Sequence, residues 1–327
     1  MHKIKIAQIG IGHDHATMIF SSLVAQPEIF DVVGYCLPEE EATTYADKVG
    51  DMCGYPVISL EEILDNPEIV AVTVETEDKN LSKYALMAAE CGKHIHMDKP
   101  GGFDEAEFET LIHTVKAKNL VFHTGYMYRY NPEVQKLLSA QGKEELGEIL
   151  SIEAQMDGIW PATPEKRQWL ERFPGGNMMF LGCHMVDIIL NLQGVPEKIH
   201  AFNKCTGMED VNALDYGFAV FEYPNGTSFV KVNAREVIGF DRRQIVVCGA
   251  KKSVEIKPLE YYTDLGMHTK ATEFTLDGSI ERSTEPFERY DEMLSSFAQM
   301  VHGEKANPWD YDYELTLYRC IMKACGR

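Results

Sequence analysis

Two segments place residue types that could hold a ligand and move charge. In Gly92-Lys93-His94-Ile95-His96-Met97-Asp98-Lys99-Pro100 a short strand-like run ends on a lysine. Lys99 therefore falls at the carboxyl edge of a strand, where open α/β sheets gather their ligands, and a lysine there can touch cofactor and substrate alike. The second segment, Gly10-Ile11-Gly12-His13-Asp14-His15, lies between an apolar run and a helical pattern. Glycines there let the backbone approach a pyrophosphate, and a helix N-terminus favours its charge.

The spacing predicts a dinucleotide site over Gly10, Ile11, Gly12 and His13, with His15 in place of a third glycine. After the second strand, where an acid ordinarily receives the ribose hydroxyls, the chain has Leu37-Pro38, and Glu39 or Glu40 is expected to take over. The run Glu39-Glu40-Glu41 repels a ribose phosphate, so NAD is favoured over NADP. Leu37, Glu39, Thr76, Asp98 and Lys99 complete the expected cofactor contacts. His13 and His15, like His94 and His96, alternate without a visible third and fourth ligand, and no metal is expected.

The elements that must position these residues follow from periodicity. Apolar runs near Lys3–Ile9, Val32–Leu37, Val70–Val74, His94–Met97 and Leu120–Thr124 read as strands. Helical patterns at His15–Ala25, Glu39–Val49, Asn80–Cys91 and Asp104–Lys118 alternate with them, and Gly92 suits the left-handed residue after a helix. The alternation predicts a doubly wound parallel sheet, a Rossmann domain over residues 1–126.

Beyond Tyr126 the texture changes to longer runs of alternating polarity: Ile149–Gln155, Tyr216–Tyr223, Thr227–Asn233 and Gln244–Cys248. Pro224-Asn225-Gly226 is a hairpin signal between two of them. Residues 127–327 are expected to form an α+β domain with a large, mostly antiparallel open sheet. It should carry a helix over about 178–192 and a C-terminal helix over about 310–325, and serve substrate binding and oligomerisation.

Composition narrows the function classes. The 327 residues are 45% hydrophobic and 25% charged, enough for two cores, and the net charge of −20 repels phosphodiester backbones and anionic lipid surfaces. Neither nucleic acid nor membrane is an expected partner. No signal-like start is visible, and the eight cysteines form no CxxC pair, which predicts a cytoplasmic protein with reduced thiols.

With Asp98-Lys99-Pro100 after a Gly-Lys-His turn, the chain resembles the Gfo/Idh/MocA family of NAD(P)-dependent oxidoreductases, whose usual triplet is Glu-Lys-Pro. The resemblance runs on through Gly125–Pro132, Leu146-Gly147-Glu148-Ile149 and Gly175-Gly176-Asn177 to Gly182–Asp187. It implies catalytic Lys99 and His184, a cis Lys99-Pro100 bond, and a homo-oligomer, dimer or tetramer. The family's aspartate four residues before the histidine is Phe180 here. An aromatic and cationic stretch from Ile159 to Trp169 suits closure over a polyhydroxylated substrate. Trp160, Arg167 and Trp169, with Arg129 and Asp187, are the expected substrate contacts.

The implied activity is hydride transfer between nicotinamide and a carbinol carbon of a sugar, polyol or related hydroxy compound. Two further readings use the same parts: an NAD-dependent glycosidase or lyase working by transient oxidation, and a catalytically weakened cofactor-binding regulator.

Overall fold

The computed structural model describes residues 2–45, 52, 54–158 and 163–327. Strands and helices alternate first: β1 (Ile4–Ile9), α1 (Ala16–Val24), β2 (Phe30–Cys36), α2 (Glu39–Thr44), α3 (Leu60–Asp65), β3 (Ala71–Val74), α4 (Leu81–Glu90), β4 (His94–Met97), α5 (Glu105–Ala117) and β5 (Phe122–Thr124). The five strands make one parallel sheet in the order β2-β1-β3-β4-β5. β3 and β4 are buried almost throughout, with Thr73 in β3 and His96 in β4 inside the core beside apolar neighbours. The order reverses direction between β1 and β3, so the crevice for a ligand opens at the ends of those two strands.

Helix boundaries follow local chemistry. Asp104 caps α5 by accepting from the Ala106 and Glu107 amides, Ser59 and Glu62 form a reciprocal capping box at α3, and Gly92 adopts φ +77° after α4. The expected extension of α2 to Val49 runs into residues outside those described.

Then come α6 (Pro132–Leu138), α7 (Ala140–Leu146), β6 (Ile149–Gln155), α8 (Pro164–Trp169), α9 (Cys183–Gln193), β7 (Lys198–Ala201), β8 (Tyr216–Tyr223) and β9 (Gly226–Asn233). After these follow β10 (Gln244–Gly249), β11 (Ser253–Ile256), β12 (Tyr261–Thr263), β13 (Gly266–His268), β14 (Lys270–Thr275) and β15 (Gly278–Ser283). The large sheet has the order β15-β14-β11-β10-β6-β9-β8-β7. It is antiparallel except at β6–β9, as the alternating polarity predicts. The β8–β9 hairpin pairs Tyr223 with Gly226 across Pro224-Asn225. α9 lies against β6 and β9 and is buried on nearly every side. The expected helix over 178–192 begins differently: Met178–Gly182 is a π-helical turn, and the α-helix starts at Cys183. Both patterns bury the same apolar residues, so periodicity does not separate them.

The last two helices are α10 (Asp291–Val301) and α11 (Tyr311–Ala324). The chain divides into two compact units, Met1–Met127 with Tyr290–Tyr318, and Tyr128–Arg289 with Arg319–Arg327. Where the sequence suggests one run from 127 to 327, Tyr290–Tyr318 thus belongs with the parallel sheet. There Phe108 stacks on Tyr318, with ring centroids 4.4 Å apart, and Ser22 donates to Asp291. No described helix is long and apolar enough to cross a membrane.

Candidate active site

Gly10 ends β1 with φ +87°, and a Cβ there would lie 2.7 Å from the Thr76 Cα, so the turn requires glycine. Beyond it the Ile11 and Gly12 amides donate to one oxygen, Oε2 of Glu41, at 2.8 and 3.0 Å. The Glu77 amide donates to Oε1 at 2.6 Å. Glu41 is fully buried. Burial pushes its carboxyl up, against the downward pull of the three amides.

The loop after β1 therefore presents paired N–H donors to an oxyanion at the strand-order reversal, and the Glu41 carboxylate stands where a phosphate oxygen would be held. A Cβ at Gly12 would collide with that carboxylate. These features fit a dinucleotide pyrophosphate, provided that Glu41 yields its place.

The other expected cofactor residues lie around this loop. Leu37 packs on the cluster of Ile11, Ala16, Phe20, Tyr35 and Met52. Glu39 is exposed on the first turn of α2, and Glu40 is tied to Lys83 and Tyr84 at 2.8 Å each. The lysine and tyrosine hold Glu40 down to about 2. Of the three glutamates it is Glu41 that reaches the loop. Thr76 is buried against Gly10.

Beside the loop the ends of β1, β3 and β4 bring ionisable groups together out of water. The Nδ1 atoms of His15 and His13 lie 3.0 and 3.3 Å from the same oxygen, Oδ2 of Asp98. His13 Nε2 is 3.3 Å from Asp78 Oδ1, and His13 Nδ1 is 3.8 Å from Glu75 Oε2. Burial alone would raise Asp98, but His13 and His15, with Lys99, hold its carboxyl well below the usual carboxylate range. Burial and the neighbouring Asp98 drive Glu75 the other way. His15 is lowered by burial. For His13 the pull of Asp98 and Asp78 outweighs burial, and it is raised.

Lys99 follows directly, buried, with a cis bond to Pro100. Its amide donates to Asp98 Oδ1 at 2.7 Å, fixing the aspartate's orientation. Glu75 and Asp78 were not among the residues expected from sequence. The available signal is an acid, Glu75, placed directly after the buried strand β3.

In the second unit His184 is buried on α9, with the Tyr128 ring edge-on at 5.1 Å. The Tyr128 hydroxyl donates to Glu260 at 2.7 Å and accepts from Arg243 at 3.0 Å. Burial, first among several causes, pushes that hydroxyl up. One turn before His184, Phe180 packs in an aromatic group with Trp169 and Phe173, at 5.0 and 5.3 Å.

The structure engages most of the expected substrate contacts within the protein. Arg129 grips Asp187 through two hydrogen bonds of 2.9 and 2.7 Å. Arg167 is held by Asp215 at 3.0 Å and by Glu209. Trp169 lies beneath the Lys166 ammonium at 4.1 Å. Trp160 lies outside the described residues.

Residues 4–126 match the family described as "Oxidoreductase family, NAD-binding Rossmann fold", and residues 134–255 match the "GFO/IDH/MocA C-terminal domain". The chain is 24% identical over 172 residues to trans-1,2-dihydrobenzene-1,2-diol dehydrogenase of Sus scrofa, covering 51% of this chain and 49% of that one. It is 25% identical over 167 residues to scyllo-inositol 2-dehydrogenase (NADP(+)) of Bacillus subtilis, covering 51% and 46%. The matched region thus spans about half the length of these relatives. Among solved structures, aldose-aldose oxidoreductase from Caulobacter crescentus, complexed with glycerol, superposes with TM-score 0.78 at 22% identity, over 100% of this chain and 99% of that one. Levoglucosan dehydrogenase, in complex with NADH and levoglucosan, gives 0.77 at 17% identity over 99% and 98%. The chain belongs to the Gfo/Idh/MocA family of oxidoreductases.

Proposed function

We propose that the protein is an NAD-dependent dehydrogenase that oxidises a carbinol carbon of a sugar or polyol. The observation that carries this reading is the oxyanion cradle at Ile11 and Gly12, set at the strand-order reversal beside Lys99. The relatives named for levoglucosan and scyllo-inositol support the substrate class.

When bound, the nicotinamide accepts the hydride. Gly10, Ile11 and Gly12 hold the pyrophosphate and Thr76 lines the loop, while the His13 amide is spent on the Glu75 carbonyl. Lys99 hydrogen-bonds the substrate oxygen and stabilises the negative charge that develops there. His184 takes the hydroxyl proton. The acids crowding the loop, Glu41 and Glu77, disfavour a 2′-phosphate and so support NAD over NADP.

One observation favours a second reading, a regulator that binds dinucleotide weakly: the loop amides are held by the chain's own Glu41. Titration with NAD and NADP, followed by turnover against a polyol and sugar panel, decides. The dehydrogenase reading expects NADH formation, lost roughly 10²- to 10⁴-fold in His184→Ala with NAD affinity unchanged. Binding without turnover across the panel supports the regulator. A His184→Ala variant that loses thermal stability but keeps its rate and pH profile returns the histidine to a packing role.

A further inference from the structure

We propose that His13, His15, Asp98 and Glu75 form a binding site for one divalent first-row transition-metal ion. This does not rest on the dehydrogenase reading. The donors of His13, His15 and Asp98 all lie within 4.8 Å of one another. The two imidazole nitrogens are 3.3 and 3.0 Å from the shared Asp98 oxygen. Metal bonds of about 2.0–2.2 Å place neighbouring donors roughly 3–3.5 Å apart, so small side-chain shifts close the first shell.

Glu75 supplies the independent observation. It is fully buried, and apart from a proton shared with Asp98 its carboxylate oxygens have no hydrogen-bond partner among the described residues. One of those oxygens lies 3.8 Å from His13 Nδ1, on the side that faces Asp98. A buried carboxylate without a donor is costly, and it is relieved by taking up a proton or by binding a cation that displaces that proton.

The imidazole of His13 is also set in the form a metal needs. The His15 amide donates to its Nδ1 at 3.1 Å, so Nδ1 carries a lone pair. The same nitrogen lies 3.3 Å from the Asp98 oxygen, whose charge also draws a proton to the ring, so a metal there would replace that proton. Behind the ring, Nε2 lies 3.3 Å from Asp78, the carboxylate that commonly backs a metal-bound histidine. Two imidazoles and two carboxylates suit zinc, cobalt, iron or manganese better than magnesium or calcium, which prefer all-oxygen sites. A bound ion would displace the proton that burial and Asp98 favour on Glu75, and the two carboxylates would then balance one divalent charge. The donors hang from the ends of β1, β3 and β4, a stiff scaffold for a preformed site.

The sequence expectation of no metal saw only the alternating histidines. The remaining ligands come from two other strand ends.

The test uses the untagged full chain, stripped with EDTA and measured without dinucleotide. Zinc titration by calorimetry should give one ion per chain and raise the melting temperature, and Co²⁺ should develop visible ligand-field bands that zinc abolishes. Asp98→Asn and the His13→Ala, His15→Ala double variant should lose the bands, whereas Asp78→Asn should weaken binding roughly 10- to 100-fold. The wild-type titration alone overturns the proposal if binding is substoichiometric and melting is unmoved. Cobalt bands that persist in a folded double variant overturn it too, placing the ion elsewhere. Failure here leaves the NAD titration untouched, so the two readings fail separately.

Discussion

In the second unit, Arg129 meets Asp187 through two short hydrogen bonds, Arg243 and Arg289 share Glu260, and Arg167 meets Asp215. In the first unit, Asp98, Glu75 and Asp78 crowd around His13, and no cationic side chain pairs with Glu75, whose nearest partner is another carboxylate, Asp98. Both arrangements bury charge. One pairs opposite signs with fixed geometry and spends its polar groups within the protein, whereas the other stacks carboxylates and leaves donor atoms for something else. Buried charge that is fully paired thus reads as architecture, and buried charge that is crowded and unpaired marks a site.

The largest expected effect tests the paired side. Removing Asp187 leaves the Arg129 guanidinium buried without its carboxylate, and Asp187→Ala should destabilise the protein by about 3–5 kcal/mol. Glu75→Gln, in chelator, replaces a carboxyl that burial and Asp98 already hold toward its neutral form, and should cost little. Denaturant unfolding of the two variants checks the contrast, and equal losses would break it.

Asp157 is an exception within the second unit. It is buried just after β6, one carboxylate oxygen lacks a hydrogen-bond partner among the described residues, and Arg243 bonds its backbone carbonyl, not its side chain. Burial raises its pKa to about 6. Between its unfolded value, about 4, and that figure, the native state binds more protons than the unfolded chain, so stability falls as pH rises through this window and is flat above it. Asp157→Asn should remove that slope and add about 2 kcal/mol at neutral pH. Melting temperatures from pH 4 to 8 check it, and a variant that keeps the slope assigns the titration elsewhere.

What was legible in the sequence follows the same division. Period and turn chemistry are local, and they placed β6 and β8 at their observed bounds, the Pro224-Asn225 turn and the Gly10–Gly12 loop. The position of Lys99 after a strand end was legible because a strand and a Gly-Lys-His turn fix it in nine residues. The partners of long-range contacts were not. Nothing local tells that Glu41 folds back on a loop 29 residues away, that Arg129 closes on Asp187, or that Tyr290–Tyr318 packs with the first unit. An amphipathic helix shows which face it buries and not against what.

The smallest expected effect concerns Glu41, where the first unit satisfies its own oxyanion cradle. An incoming phosphate must displace a carboxylate held by three amides, so part of the binding energy is spent on breaking those bonds. Glu41→Gln keeps the side chain's size and removes its charge. A neutral amide oxygen is a weaker acceptor, by about 1 kcal/mol for a bond to an uncharged group. NAD affinity should therefore rise several-fold, the change that about 1 kcal/mol produces. The pH dependence carries the sharper sign. Burial raises the Glu41 carboxyl, so lowering the pH toward that raised value protonates it, frees the amides and strengthens NAD binding in the wild type. Glu41→Gln, with nothing to protonate there, should bind with a flatter dependence and converge on the wild type in acid. Fluorescence titrations of both proteins from pH 5 to 8 decide it. Parallel curves would show that the carboxylate does not compete with the cofactor, and weaker binding in Glu41→Gln would make Glu41 a support of the loop instead of its occupant.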